Sequence, residues 1–362
     1  MEKIDDIGLE DIVQAIQPLD EDLWQKAKEH SERLIMPPRA LGRLHEIAER
    51  VCAIQGCLQP EVGKKTVLVF AGDHGVVQEG ISAFPQVVSL EMIRCFLQGG
   101  AGINALSREV GAEVRVVDMG IIPDLDAEDL PGGELLQVCK QGRGTRNFAL
   151  EPAMDREQAR ECILTGFRVA SKWIQSGTRL LGTGDMGIGN TTPAAAMGAV
   201  FTGCEPELMA GPGTGLEENG VQHKARVIEK VLRLHQPQAR DALDVLSKVG
   251  GFEIGGIAGC ILAGAYYRVP VVIDGFISTA GALLAQALQP RIREYMFAGH
   301  CSQESGHRIM LQHLDLEPIL CLDMRLGEGT GGVLSMGIIQ AAVRVFNEVF
   351  TFEQGGVSEK QD

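Results

Sequence analysis

Short apolar runs rich in β-branched residues alternate with helical patterns over most of the chain after residue 57. Each run is followed by glycine and then by an amphipathic or Ala/Gly-rich stretch. The six runs are TVLVF (66–70), VRVVDM (114–119), RLLGTG (179–184), VPVVID (269–274), EYMFAG (294–299) and PILCLDM (318–324). Buried strands alternating with helices are typical of the α/β class. We therefore predict a doubly wound, mostly parallel, Rossmann-like sheet.

Both ends of the chain have helical patterns instead. Asp20 is a suitable N-cap for EDLWQKAKEHSERL, and ALGRLHEIAERVCAIQ carries apolar residues at helical spacing. The C-terminal stretch GVLSMGIIQAAVRVF predicts a long helix. We expect a large α/β domain over residues 31–334 that carries the active site. Residues 1–30 together with 335–362 are predicted to form a small, discontinuous helical domain. Residues 122–147 are predicted to form a long polar loop that could include a short hairpin.

The net charge of the chain limits the kinds of partner that it is expected to bind. With 33 Lys+Arg against 48 Asp+Glu the net charge is −15, and no Lys/Arg cluster is visible. A nucleic-acid or anionic-membrane surface is therefore not expected. An anionic ligand would have to be held by backbone N–H groups and one or two well-placed cations.

Cysteine usage and the N-terminal sequence predict a cytoplasmic protein. The 9 Cys are scattered without a CxxC pair, which is typical of reduced thiols. The start MEKIDDIGLEDIVQ has no signal-type apolar core, and no stretch is apolar enough to predict a membrane span. His300, Cys301 and His307 lack the spacing of a metal site, so neither a metal nor another cofactor is predicted.

The chain has 45 glycines, and glycine-rich loops lie beyond the carboxyl ends of the predicted strands. In doubly wound sheets, ligands bind at that edge. GTGDMGIGNTTP (182–193) leaves a predicted strand and enters a helix. Its Gly187, Gly189, Asn190 and Thr191 would present N–H groups and hydroxyls at a helix N-terminus, which favours an anion cradle. A tight turn with a threonine cap is the alternative. A literal GxGxxG also lies here, but it lacks the acidic partner of a dinucleotide site.

A second glycine loop, GPGTGLEENGVQHK (211–224), strengthens the anion hypothesis. Gly213, Thr214 and Gly215 would present backbone amides, and Lys224 follows two to three helical turns later. Two such loops suit a phosphate held by backbone N–H groups and one cation. Taken alone, Lys224 would be a solvated surface lysine.

A third loop carries a carboxylate between glycines. In DMRLGEGTGGVLSM (323–336), Glu328 follows a predicted strand and precedes a long helix. It could complement the helix dipole, or it could act as a general base that substrate approaches closely. The dipole would lower its pKa and an apolar pocket would raise it.

The segment AGDHGVVQEGISAFPQVVSLEM (71–92) could supply a flat apolar slot for a ring. Its candidate lining residues are Ser82, Phe84, Pro85, Val87, Val88 and Met92. Core packing is the alternative for the valines and the methionine. His74 could serve as a ligand or a base, or as a hydrogen-bonded turn residue.

These loops together resemble the nicotinate-nucleotide:dimethylbenzimidazole phosphoribosyltransferase family. The resemblance runs from PPRALGRL (37–44) to GIIQAAV (337–343). It rests on AGDHGV, SAFPQVV, GGAGIN, GDMGIGNTTPA, GPGTGL, GGFEIGGIAG, IDGFISTA, AGHCSQESGH and RLGEGTG. It implies a parallel-sheet domain, a small helical domain from both chain ends and a homodimer. The implied reaction converts nicotinate mononucleotide and 5,6-dimethylbenzimidazole to α-ribazole 5′-phosphate and nicotinate.

The resemblance also assigns roles to residues of this chain. The family's catalytic glutamate falls on Glu328, with Asp185 as a secondary carboxylate. Phosphate and nucleotide binding falls on the two glycine loops with Lys224, and Asp274 of IDGFISTA joins that group. The base slot corresponds to residues 82–92, including Glu91, together with Leu326.

Three positions depart from the family pattern. Asp185 stands where glutamate is usual, Glu91 where glutamine is common, and Ala40 where serine is usual. The first two bear on the secondary carboxylate and on base selectivity. Two other functions remain open from the sequence: a non-catalytic nucleotide sensor that kept the loops, and an NAD-dependent oxidoreductase.

Overall fold

A computed structural model describes residues 4–213 and 215–358. Six parallel strands form one sheet in the order β3-β2-β1-β4-β5-β6. The strands are β1 (Lys65–Gly72), β2 (Ala112–Gly120), β3 (Leu136–Val138), β4 (Leu180–Met186), β5 (Val271–Ile273) and β6 (Met296–Ala298). The strand order reverses between β1 and β4, which is where doubly wound sheets open a crevice for ligands. The predicted fold class is confirmed.

Fifteen α-helices surround this sheet in the described part of the chain, which also contains five short 3₁₀ turns. They are α1 (Leu9–Ala15), α2 (Glu21–Glu32), α3 (Arg43–Gln55), α4 (Val87–Leu97), α5 (Gly102–Val110), α6 (Arg156–Gln175), α7 (Thr191–Thr202), α8 (Pro206–Met209), α9 (Glu218–His235), α10 (Ala242–Val249), α11 (Phe252–Tyr266), α12 (Phe276–Leu288), α13 (His307–His313), α14 (Thr330–Glu348) and α15 (Phe352–Gly355). None of these helices is long and apolar enough to cross a membrane.

Helices cover both faces of the sheet because strand side chains alternate between them. Phe70 of β1 points toward α11, where it lies against Gly256. Val67, an odd number of residues away on the same strand, points toward α14, whose Met336 also packs over Gly182 of β4. Both faces of β1 are therefore buried, and its apolar run is continuous rather than alternating.

Two details of the strand prediction are wrong. PILCLDM (318–324) forms only a single bridge, between Leu320 and His300, because the chain turns away at the left-handed residue Asp323 (φ 54°). Conversely, the predicted polar loop 122–147 contains β3, which pairs parallel with β2 instead of forming the short hairpin that the sequence allowed. β3 is a three-residue edge strand with one buried residue, Leu136, so it carries almost no periodic signal.

The two chain ends meet. Leu34 forms an antiparallel bridge with Thr351, and the ring of His30 lies 4.5 Å from that of Phe346. The N-terminal half of α14 packs on β4 and β5, and α1 packs on α6 and α11. The division into a large and a small domain stays a prediction.

Glycines allow α6 and α11 to cross at backbone contact. A Cβ at Gly259 would lie 1.9 Å from the Ile163 carbonyl oxygen, and a Cβ at Gly166 would lie 1.9 Å from the Gly256 oxygen. We expect Gly259→Ala to lower the free energy of unfolding by about 2 kcal/mol. Overpacking costs about 1–3 kcal/mol or more and outweighs the gain in helix propensity of up to about 1 kcal/mol.

Denaturant unfolding of both variants measures this difference. Gly63→Ala is the matched control because a Cβ there meets no atom within 4 Å. Equal unfolding midpoints for Gly259→Ala and Gly63→Ala would show that the two helices can separate at little cost.

Candidate functional site

Acidic side chains gather where the central strands end. Asp73 follows β1, Asp185 lies near the end of β4, and Asp274 follows β5. The loop before α14 brings Glu328 beside them, so that Gly184 of β4 touches the Glu328 carbonyl group. All four carboxylates are buried. Because the strands are parallel, residues far apart in the chain meet at one edge of the sheet.

The Glu328 loop has an unusual backbone. Gly327 (φ 84°), Glu328 (φ 62°) and Gly329 (φ 96°) are all left-handed. This conformation costs a non-glycine residue about 1–3 kcal/mol, so the surroundings must impose it at Glu328. Asp274 does so: its Oδ2 accepts a hydrogen bond from the Gly329 N–H (3.1 Å) and its Oδ1 one from the Gly332 N–H (2.9 Å).

The Glu328 carboxylate is tied at one oxygen only. Its Oε2 accepts a hydrogen bond from the Ile103 N–H at the start of α5 (3.1 Å). Among the described residues Oε1 has no hydrogen-bond partner. Burial raises the pKa of Glu328, the Ile103 N–H opposes this shift, and the charge of Asp274 adds to it. One oxygen is therefore fixed while the other can accept a proton or a hydrogen bond.

Asp185 is a carboxyl group that holds its proton. Its Oδ2 accepts from the Asn190 side-chain amide (2.9 Å), while the buried Oδ1 has no partner in the described part of the chain. Burial raises the pKa of Asp185 to about 8, and the nearby charge of Asp274 contributes to the shift. Near neutral pH this group is mostly protonated and can donate a hydrogen bond.

We expect Asp185→Asn to flatten the pH dependence of stability. Between the ordinary aspartate pKa of 3.8 and the folded value of about 8, the folded chain keeps a proton that the unfolded chain has lost. The free energy of unfolding therefore falls as the pH rises through this window, by at most about 1.4 kcal/mol per pH unit. Asparagine has no proton to release and removes that slope.

Urea unfolding at pH 5, 6.5 and 8 checks the expectation, with Asp22→Asn as the control because Asp22 is exposed on α2. The parent chain and the control should lose more stability than Asp185→Asn on going from pH 5 to pH 8. Parallel curves for all three proteins would show that Asp185 ionises normally.

The first glycine loop is built as a compact turn into α7. Gly189 is left-handed (φ 93°), and a Cβ at Gly187 would lie 2.1 Å from the Gly72 carbonyl oxygen. The Ile188 N–H donates to Ser89 Oγ (3.1 Å). Asn190 directs its amide to Asp185 rather than capping the helix. The Asn190 and Thr192 N–H groups donate to carbonyl oxygens of the same turn, and Pro193 has no N–H. Among the described residues, the N–H groups of Gly187, Gly189 and Thr191 therefore remain to bind an anion.

Lys224 joins the two glycine loops. Its ammonium group donates to Thr191 Oγ1 (3.0 Å) and to the Gly211 carbonyl oxygen (3.0 Å), and the residue is 1% exposed. Burial lowers the pKa of Lys224 to about 8. Gly213 lies between these groups, since a Cβ there would be 3.1 Å from Thr191 Oγ1 and 3.3 Å from Lys224 Nζ. The predicted surface alternative for Lys224 does not fit this burial.

The rest of the second loop is described only in part. Gly213 (φ 55°) and Gly215 (φ 125°) are both left-handed, as the glycine-rich sequence suggests. The predicted phosphate-binding residue Thr214 lies outside the described residues.

The predicted base slot is an exposed apolar surface beside these loops. Phe84, Val87 and Leu326 are 48%, 51% and 59% exposed, and Leu326 packs on Gly102 at the start of α5. The other predicted lining residues are exposed (Pro85, Glu91) or half-buried (Ser82, Val88, Met92). Ser89, between them, donates to Asp73 Oδ1 (2.6 Å) and so anchors α4 to the end of β1.

Sequence reasoning missed two groups at this edge. His74 Nε2 lies 3.0 Å from Glu253 Oε1 in a fully buried pair, and Glu253 was not a candidate. Its signal was available, because Glu253 is the only charged residue in the apolar helix α11. The backbone N–H of Ile103 was also missed, and only the motif GGAGIN pointed toward it.

Comparisons with known proteins match nearly the whole chain. A family model described as phosphoribosyltransferase matches residues 16–357. The nicotinate-nucleotide–dimethylbenzimidazole phosphoribosyltransferase of Citrifermentans bemidjiense is 50% identical over 350 residues, which cover 97% of this chain and 99% of that protein. The enzyme of the same name from Geotalea uraniireducens is 51% identical over 351 residues, covering 97% and 98%. The crystal structure of CobT from Thermus thermophilus is similar with a TM-score of 0.88 and 44% identity, covering 94% of this chain and 100% of that one.

Proposed function

The chain belongs to the nicotinate-nucleotide–dimethylbenzimidazole phosphoribosyltransferase family, and we propose that it carries out the reaction of that name. It would transfer the phosphoribosyl group of nicotinate mononucleotide to 5,6-dimethylbenzimidazole or a related base. The products are nicotinate and α-ribazole 5′-phosphate, the nucleotide of the lower ligand of cobalamin. The resemblance noted in the sequence is thereby confirmed at the level of the family.

One observation carries the proposal: the carboxylate of Glu328, bonded through one oxygen to the Ile103 N–H, stands at the same strand edge as the two glycine loops. The strained turn that presents it is held by Asp274. A sensor that only binds nucleotide needs the glycine loops but has no use for a carboxylate held in this way. The arrangement therefore favours catalysis over the sensor alternative.

The nucleotide phosphate is assigned to the glycine loops. The backbone N–H group of Gly187 and the ammonium group of Lys224 would bind it, next to Gly213 and with Asn190 and Thr191 at the α7 N-terminus. Lys224 uses two of its three N–H donors on the protein, so one can point to the phosphate. A fixed phosphate holds the ribose in place and converts the encounter with the base into a positioned displacement.

The chemical step needs one acceptor and no acid. The nicotinate ring of the mononucleotide is a pyridinium cation at its ribosyl nitrogen, so the breaking C–N bond returns its electron pair to a neutral pyridine nitrogen. A benzimidazole nitrogen attacks the anomeric carbon from the opposite face and inverts β to α. The proton on the other ring nitrogen passes to Glu328 Oε1, which removes the positive charge that develops on the base.

Two further carboxylates have supporting roles in this proposal. Asp274 positions Glu328, because both of its oxygens are used on backbone N–H groups of the Glu328 turn and α14. This contact differs in kind from the direct nucleotide binding that the sequence resemblance implied for Asp274. Asp185, protonated near neutral pH, can donate from its free oxygen to a ribose oxygen.

The aromatic base is assigned to the apolar surface made by Phe84, Val87, Val88, Met92 and Leu326. These side chains are exposed or half-buried without a ligand, so a flat ring would remove apolar area from water. Ser82, Pro85 and Glu91 complete the predicted slot.

A cytoplasmic homodimer is part of the proposal. All nine cysteines are free thiols, which supports a reducing compartment. Exposed Phe84 and Leu326 leave one side of the base slot open, which a second subunit could cover. Sedimentation equilibrium measures the number of subunits directly.

A product survey tests the proposed reaction. Purified protein receives nicotinate mononucleotide with 5,6-dimethylbenzimidazole, benzimidazole, adenine or a phenol, and mass spectrometry follows nicotinate and the new nucleotide. We expect both products in equal amounts with at least one base. Saturable nucleotide binding without nicotinate release, in a folded protein, would favour the sensor. Reduction of a nicotinamide dinucleotide would favour the oxidoreductase.

A further inference from the structure

A buried carboxylate that the proposed reaction does not use lies against the second glycine loop. Glu304, in the segment between β6 and α13, is 5% exposed. A Cβ at Gly211 would lie 2.0 Å from Glu304 Oε2, and the Gly213 N–H faces the same carboxylate. Glu304 therefore touches the loop assigned to the phosphate.

The groups around Glu304 leave it incompletely neutralised. Lys224 faces it from α9 and Arg325 from the loop before Glu328. Neither cation comes within 4.0 Å of the carboxylate in the described part of the chain. His307, on the following helix, is neutral because burial lowers its pKa to about 3.

The carboxylate also has unused hydrogen-bonding capacity. Glu304 Oε2 is buried and has no hydrogen-bond partner among the described residues. A buried carboxylate oxygen without a donor is costly, and a donor in a ligand would relieve that cost. Burial raises the pKa of Glu304, while Lys224 and the Gly213 N–H oppose the shift.

A phosphate monoester brought to Lys224 and Gly213 would meet this carboxylate. The second pKa of such an ester is about 6, so near neutral pH it arrives mainly as a dianion. Two unprotonated anions at contact repel each other, whereas a single proton between them makes a short, charge-assisted O–H···O hydrogen bond. The same proton satisfies Glu304 Oε2.

We propose that Glu304 is a positioning residue that shares one proton with the 5′-phosphate, so that nucleotide binds to this site together with a proton from solvent. This inference rests on the phosphate placement in the proposed function. The proton balance is as follows: the ionised Glu304 carboxylate, the dianionic phosphate and one H⁺ from solvent combine to form the complex. Whether the proton lies on the carboxyl or on the phosphate oxygen, the complex holds one proton more than its separated parts.

Two consequences distinguish this role from a purely structural one. Between pH 6.5 and 7.5, below the Lys224 pKa of about 8, the dissociation constant of the nucleotide should rise by up to about tenfold per pH unit. Glu304→Gln can donate an N–H to the dianion without any proton from solvent. Its dissociation constant should be nearly independent of pH in that range.

Isothermal titration calorimetry tests the inference. Nicotinate mononucleotide, and separately inorganic phosphate, is titrated into each protein in buffers of different ionisation enthalpy. Glu207→Gln is the matched control, because it makes the same change at an exposed site on α8 close to Gly211. We expect uptake of about one proton per nucleotide in the parent chain and the control, and almost none in Glu304→Gln.

The experiment distinguishes failure of the proposed Glu304 role from failure of the proposed phosphate site. Nucleotide binding with equal proton uptake in all three proteins would overturn the role of Glu304 and leave the phosphate site intact. Binding without proton uptake in the parent chain would overturn it whether or not Glu304→Gln folds. If neither nucleotide nor inorganic phosphate binds to any folded protein, the phosphate site itself is wrong and both proposals fall.

Discussion

Replacing Glu328 by glutamine is expected to lower kcat by about 10²–10⁴-fold, the usual contribution of a positioned general base. The Ile103 N–H would select the amide oxygen of the new side chain, because that N–H now donates to Glu328 Oε2. The amide NH₂ would then face the N–H of the base, donor against donor. The variant should still fold and bind the mononucleotide, since it removes a buried charge.

Comparison of two bases makes this test specific. 1-Methylbenzimidazole has no N–H to give up, so the rate difference between the parent chain and Glu328→Gln should shrink at least tenfold with it. Glu348→Gln, exposed at the end of α14, controls for loss of charge on that helix. An undiminished difference with the methylated base would assign Glu328 a role other than proton acceptance.

Replacing Lys224 by methionine is expected to lower kcat/KM for nicotinate mononucleotide by about 100-fold. A hydrogen bond between charged groups contributes about 1.5–3 kcal/mol, and the upper value corresponds to that factor. Methionine is of similar length and uncharged, so the buried position tolerates it. In the parent chain, loss of the Lys224 proton above pH about 8 should weaken nucleotide binding in the same direction.

The phosphate-free substrate separates binding from chemistry. Nicotinate riboside has nothing for Lys224 to bind, so the parent chain and Lys224→Met should turn it over at similar, slow rates. Lys230→Met, exposed on the same helix, is the control. A large loss with the riboside would show that Lys224 supports the fold of the two loops rather than the phosphate.

Local pattern was sufficient for the class of fold and for the position of most elements. A strand with both faces buried, such as β1, needs an unbroken apolar run, and amphipathic helices need apolar residues at a period of 3.6. Such signals lie within a few residues of each other. These patterns did not predict the strands correctly where a strand is short or only partly paired. β3 has three residues at the sheet edge, and PILCLDM is apolar but bridges only through Leu320.

The sequence by itself determined the α/β class, the three glycine-rich loops and the family, because glycine-rich turns and apolar runs act over short distances. Only the tertiary structure decided which distant groups touch. Glu328 bonds to Ile103 across 225 positions, and Lys224 to Thr191 across 33. The burial that shifts the pKa values of Glu328 and Lys224 exists only in the packed molecule, because a short segment cannot remove its own charge from water.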